Sequence, residues 1–125
     1  NVAIHYQLCE GKVNIDKSTL ALVSDFESNS NVYLQCFAPT GTSLKEEEGW
    51  TSTDYRKKEK RTAVAFETPK TTDEAVRYIT VICPVTNKAD QPKITAEFKK
   101  KSYSDNSLEL VVKVDGKKYN LNYKY

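Results

Sequence analysis

Apolar and polar residues alternate along most of this chain, and at one point the alternation is locked to a turn. The segments 107–114 and 117–125 flank the dipeptide Asp115-Gly116. Asp-Gly accepts the positive φ of a two-residue type I′ turn, so the stretch reads as a hairpin. Closing it there sets Val112 opposite Tyr119, Leu110 opposite Leu121 and Leu108 opposite Tyr123. All six then share one face, and aliphatic–aromatic pairs across strands stabilise by roughly 0.2–1 kcal/mol each.

The same period of two recurs upstream. Val2, Ile4, Tyr6 and Leu8 alternate with Ala3, His5, Gln7 and Cys9, as in a half-buried strand. Leu20–Val23, Val32–Phe37, Arg61–Glu67 and Lys93–Phe98 are further strands. Ala75–Val85 is apolar on both faces, which places it centrally in a sheet. No segment sustains a 3.6-residue stripe; Ser43–Glu48 is at most a turn or two of helix. The 125 residues suit one domain. Seven to nine strands follow from this spacing, in an all-β antiparallel sandwich whose body spans 1–98. The looser stretch 99–106 then leads to the hairpin 107–125, packed on that body to cover its apolar face.

No apolar run nears the ~20 residues of a membrane-spanning helix. The start, Asn1-Val2-Ala3-Ile4-His5, lacks the basic and apolar regions of a signal peptide, so any leader has been removed or lay outside this sequence. The net charge of +2 hides an asymmetry: residues 1–50 carry three basic and seven acidic side chains, residues 51–125 sixteen and ten. Arg56, Lys57, Lys58, Lys60 and Arg61 form the densest basic cluster, beside Tyr55, and Lys93, Lys99, Lys100 and Lys101 form a second set. Such clusters suit an anionic glycan, a membrane surface or nucleic acid, or serve simply as a solvated rim. No nucleic-acid motif accompanies them.

Catalytic arrangements are sparse. The sole histidine, His5, shares a strand face with Cys9, but four residues of strand separate them by about 13 Å, beyond hydrogen-bond reach. Glu46, Glu47 and Glu48 read as a loop, without the fixed separation that paired carboxylates need. The four glycines are scattered, so there is no phosphate loop, and one histidine with three cysteines lacking a C-x-x-C leaves no metal site. No cofactor is implied.

Cys36, Trp50 and Cys83 meet in a familiar arrangement. Val32-Tyr33-Leu34-Gln35-Cys36 resembles strand B of an immunoglobulin-like domain, Trp50 lies where the strand C tryptophan would, and Ile79-Thr80-Val81-Ile82-Cys83 resembles strand F. The strand F tyrosine motif is absent, since Tyr78 lies five residues before Cys83. The resemblance implies a Cys36–Cys83 bridge between sheets with Trp50 packed on it, and the apolar faces ending in the two cysteines agree. Cys9, on the polar face of its strand, is left as a free thiol or an inter-chain link.

These features together point to a secreted or cell-surface binding or adhesion module. It would engage a protein or an anionic glycan without catalysis, and dimerise through Cys9 or the terminal hairpin. The alternative is a small-ligand carrier or inhibitor on a closed barrel. An enzyme would require His5 in a cleft beside a Ser, a Cys or an acid.

Overall fold

Strand formation follows the alternation closely. The computed structural model describes residues 1–9, 11–51, 59–87, 89–99 and 107–124, with no helix among them. Ten strands succeed one another: β1 (Val2–Gln7), β2 (Lys12–Asp16), β3 (Ala21–Asp25), β4 (Asn31–Phe37), β5 (Ser43–Thr51), β6 (Glu59–Thr68), β7 (Ile79–Val85), β8 (Ile94–Phe98), β9 (Ser107–Val114) and β10 (Lys117–Lys124). They fall into two compact units, Asn1–Asp90 and Gln91–Tyr125.

The first unit holds two antiparallel sheets, ordered β1-β6-β5 and β2-β3-β4-β7. Leu44, Val64 and Phe66 of one sheet form a single core with Leu22, Leu34 and Cys36 of the other. The all-β, antiparallel sandwich read from the sequence is therefore the fold of this unit. Tyr6 packs edge-on against Phe66, with ring centroids 6.0 Å apart. Its hydroxyl crosses to the other sheet and donates to Thr80 Oγ1 at 2.9 Å.

That crossing stands where a disulfide was expected. β4 and β7, the strands likened to B and F, are neighbours in one sheet, with Cys36 opposite Thr80 and Cys83 opposite Tyr33. The two cysteines are thus three positions apart along the ladder and on opposite faces, out of bridging range. No Cys36–Cys83 bridge forms. Cys36 is buried in the core, where burial raises its thiol pKa against the opposing effect of a hydrogen bond with Thr80. Trp50 lies on β5, at the register position opposite Lys60.

Three further expectations are corrected. Ser43–Glu48 is strand: β6 offers nine consecutive partners, and pairing overrides a weak helical preference. Glu46, Glu47 and Glu48 accordingly belong to β5. β7 is an edge strand rather than a central one, with Ile82 exposed. Pro84, which has no N–H to give a ladder on both sides, fits that edge. β8, assigned from the sequence to the body ending at residue 98, belongs to the second unit.

In that unit the sheet order is β10-β9-β8. Asp115 and Gly116 have φ of 50° and 85°, as a type I′ turn requires. The three expected cross-strand pairs, Val112–Tyr119, Leu110–Leu121 and Leu108–Tyr123, are all present. Ile94 and Val112 are buried, whereas Tyr119, Leu121 and Tyr123 on β10 stay exposed.

A buried polar clip secures the four-stranded sheet. Asn31 Oδ1 accepts from Ser24 Oγ at 2.9 Å and from the Phe26 N–H at 2.8 Å, while its Nδ2 donates to the Thr86 carbonyl at 2.9 Å. Ser24 Oγ in turn accepts from the Val32 N–H.

Two outcomes are expected. Asn31→Ala orphans buried donors and acceptors and should cost about 2–4 kcal/mol in urea unfolding at unchanged m-value. Dithiothreitol should leave the melting temperature unchanged, and alkylation of the unfolded, unreduced chain should label all three cysteines; a melting temperature lowered by reductant would restore the disulfide.

Candidate functional site

Strand register decides which polar residues meet on the outer face of sheet β1-β6-β5. His5 lies opposite Ala65, and Ala65 opposite Lys45; Gln7 lies opposite Ala63, and Ala63 opposite Glu47. Ala63 and Ala65 face outward yet are 5% and 1% exposed. Small side chains on the central strand form a floor that longer neighbours on both edge strands cover.

Those neighbours are tied together. His5 Nδ1 is 2.9 Å from Glu47 Oε2 across the width of the sheet, and both side chains remain accessible, at 57% and 41%. Arg61 Nη2 donates to Gln7 Oε1. Glu67 Oε1 accepts from Asn1 Nδ2 at 2.6 Å and from Lys45 Nζ at 3.1 Å. These bonds, the Asn1 amide first and the Lys45 ammonium next, hold the Glu67 carboxyl below its ordinary 4.5. His5, read from sequence as a strand histidine with no local partner, therefore has an acid beside it. A separation of 42 positions in sequence concealed the pairing.

Chemically, this face offers a proton-accepting imidazole and hydrogen-bonding groups suited to sugar hydroxyls. Its fixed charges balance, with Lys45 and Arg61 against Glu47 and Glu67. Among the described residues no group of three His, Cys, Asp or Glu side chains could hold a metal ion. Exposed Cys9, just beyond the end of β1, lines a cleft of about 880 Å³ with Lys12, Asp25, Phe26 and Glu27. Two acids against one lysine make that cleft a poor seat for a polyanion.

The basic cluster is only partly visible. Arg56, Lys57 and Lys58 lie outside the described residues. Lys60 is on β6, and Arg61 sits on the polar face just described. Of the second basic set, Lys93 and Lys99 flank β8, while Lys100 and Lys101 lie outside the described residues.

Comparison with known proteins finds similarity to heparin-sulfate lyases. No family model matches the chain. It is 49% identical to a heparin-sulfate lyase of Bacteroides stercoris over 99% of its own length, and 30% identical to the heparin-sulfate lyase of Bacteroides thetaiotaomicron over 98%. A solved heparinase III superposes on 98% of the chain with a TM-score of 0.90 at 48% identity. The chain spans about a fifth of the length of these relatives, 19%, 18% and 19% respectively. These findings overturn the expectation of a non-catalytic binding or adhesion module. The lack of an assembled catalytic set misled, because a chain spanning about a fifth of its relatives' length need not display such a set.

The polar face generates a pH prediction. Folded Glu67 binds its proton less readily than the unfolded chain does, so its contribution to stability is present above the ordinary glutamate range and is lost as pH falls through its lowered folded value. Melting temperatures recorded from about pH 6 to about pH 3 should fall less for Glu67→Gln than for the native chain. Parallel curves would remove Glu67 from that dependence.

Proposed function

We propose that this chain is the β-rich fifth of a lyase acting on heparin- or heparan-sulfate-type glycans. The observation that carries this reading is the 49% identity over 99% of the chain to a heparin-sulfate lyase, a match that takes in both the sandwich and the terminal unit. Identity of that order over 124 residues preserves more than a fold.

The charge distribution supports it. A sulfated, carboxylated polymer is a dense polyanion, and residues 51–125 carry the positive excess of this chain. Arg56, Lys57, Lys58, Lys60 and Arg61 are proposed as one contact of the protein with that polymer. A polymer substrate is met outside the cytoplasm, so action at or beyond the cell envelope belongs to the same reading. So does the role of the His5–Glu47 face in binding sugar hydroxyls.

Lyase action breaks the glycosidic link by elimination and leaves a carbon–carbon double bond in the product, which hydrolysis does not. The intact polypeptide containing this chain, incubated with heparan sulfate, should therefore produce new chain ends with ultraviolet absorbance. Cleavage without that absorbance, or no cleavage under any salt and pH condition, would overturn the proposal.

A further inference from the structure

The terminal unit carries an arrangement that the lyase reading leaves unexplained. β9 and β10 place Lys113 directly opposite Lys118, and β8 places Thr95 opposite Lys113, so the three form one row across the sheet. Residues flanking a two-residue hairpin loop exchange both ladder hydrogen bonds, here Val114 and Lys117. Pairs alternate in kind along an antiparallel ladder, which makes Lys113–Lys118 the closer, non-hydrogen-bonded kind, with Cα atoms about 4.5 Å apart.

All three side chains are exposed. Like charges set directly opposite one another destabilise a sheet. The ion pairs found among the described residues, His5–Glu47 and Lys45–Glu67, involve neither lysine. The acids on this face do not stand in the row: Asp115 Oδ1 accepts from the Lys93 N–H at 2.8 Å, Glu97 sits one row along, opposite Val111, and Glu109 two rows along, opposite Asn122. On β10 the amides of Asn120 and Asn122 continue the same face.

We propose that Thr95, Lys113 and Lys118 form an oxyanion site for a sulfate or carboxylate group of an anionic glycan. Two ammonium groups supply charge, and the Thr95 hydroxyl supplies a directional donor. A bound anion converts the lysine–lysine repulsion into attraction to a shared partner. Asn120 lies one row further along, where a sugar hydroxyl next to the anion would fall. The site shares no residue with the charge-balanced His5 face, and it rests on the anionic-glycan reading of the chain.

The 125-residue chain titrated with a heparan sulfate tetrasaccharide at low salt, followed by amide chemical shifts, tests it. The largest shifts should fall at residues 95, 113 and 118. Lys113→Gln with Lys118→Gln should weaken binding about tenfold and lower the slope of log affinity against log salt by about 2, whereas the double arginine variant should keep both. Lys12→Gln with Lys17→Gln, on the first unit, should change neither. Removing the like-charge pair should leave the melting temperature unchanged or raised, which separates lost binding from lost folding. Undiminished affinity in the glutamine variant, equal binding of a neutral dextran oligomer, or no binding at all would overturn the site. The elimination assay on the intact polypeptide decides the lyase reading independently of any of these outcomes.

Discussion

Phe66 and Val64, both wholly buried on the inner face of β6, hold the sandwich together. They meet Leu22, Leu34 and Cys36 from the facing sheet, and β1 and β5 bring Ile4, Tyr6 and Leu44 to the same core. Everything on the outer face of β6 follows from that commitment. A strand with large residues inward and Ala63 and Ala65 outward has one workable register, since a slip by one residue would set alanines in the core and Phe66 beneath His5. The positions of His5, Lys45, Glu47 and Arg61 are therefore consequences of core packing.

How much of this was legible in the sequence depended on how local the determinant was. The terminal hairpin could be read residue by residue, because Asp115-Gly116 dictates turn and register within a few positions. The sandwich class followed from the alternation alone. What failed depended on partners distant in sequence. β5 owes its strand conformation to β6, and the edge position of β7 shows in the sequence only through Pro84. The expected disulfide failed for the same reason: whether two cysteine strands face each other or lie side by side is a matter of topology, and both arrangements present the same apolar pattern.

The candidate site was less legible still. His5 and Glu47, and Arg61 and Gln7, are paired by strand order and leave no local motif. Exposed polar residues alternating on a strand read as ordinary solvated surface. The opposed lysines on β9 and β10 could have been found, because the hairpin register that pairs Val112 with Tyr119 also pairs Lys113 with Lys118. Enzyme class was illegible for a different reason, since the chain represents a fifth of its relatives' length and carries no motif of its own.

The outer face of β1-β6-β5 also has an implication for the order in which the molecule assembles. β5 and β6 meet across a short connection, with Thr51 opposite Glu59, whereas β1 must return to a strand some sixty residues away. Closure entropy rises with the logarithm of the length enclosed, by about 0.6 kcal/mol per doubling, so pairing β1 with β6 costs more chain entropy than pairing β5 with β6. His5–Glu47, Gln7–Arg61 and Asn1–Glu67 each join β1 or its leading residue to that pair. The polar network is thus a latch across the first strand, and the imidazole gains its acid only in chains whose first strand has come home.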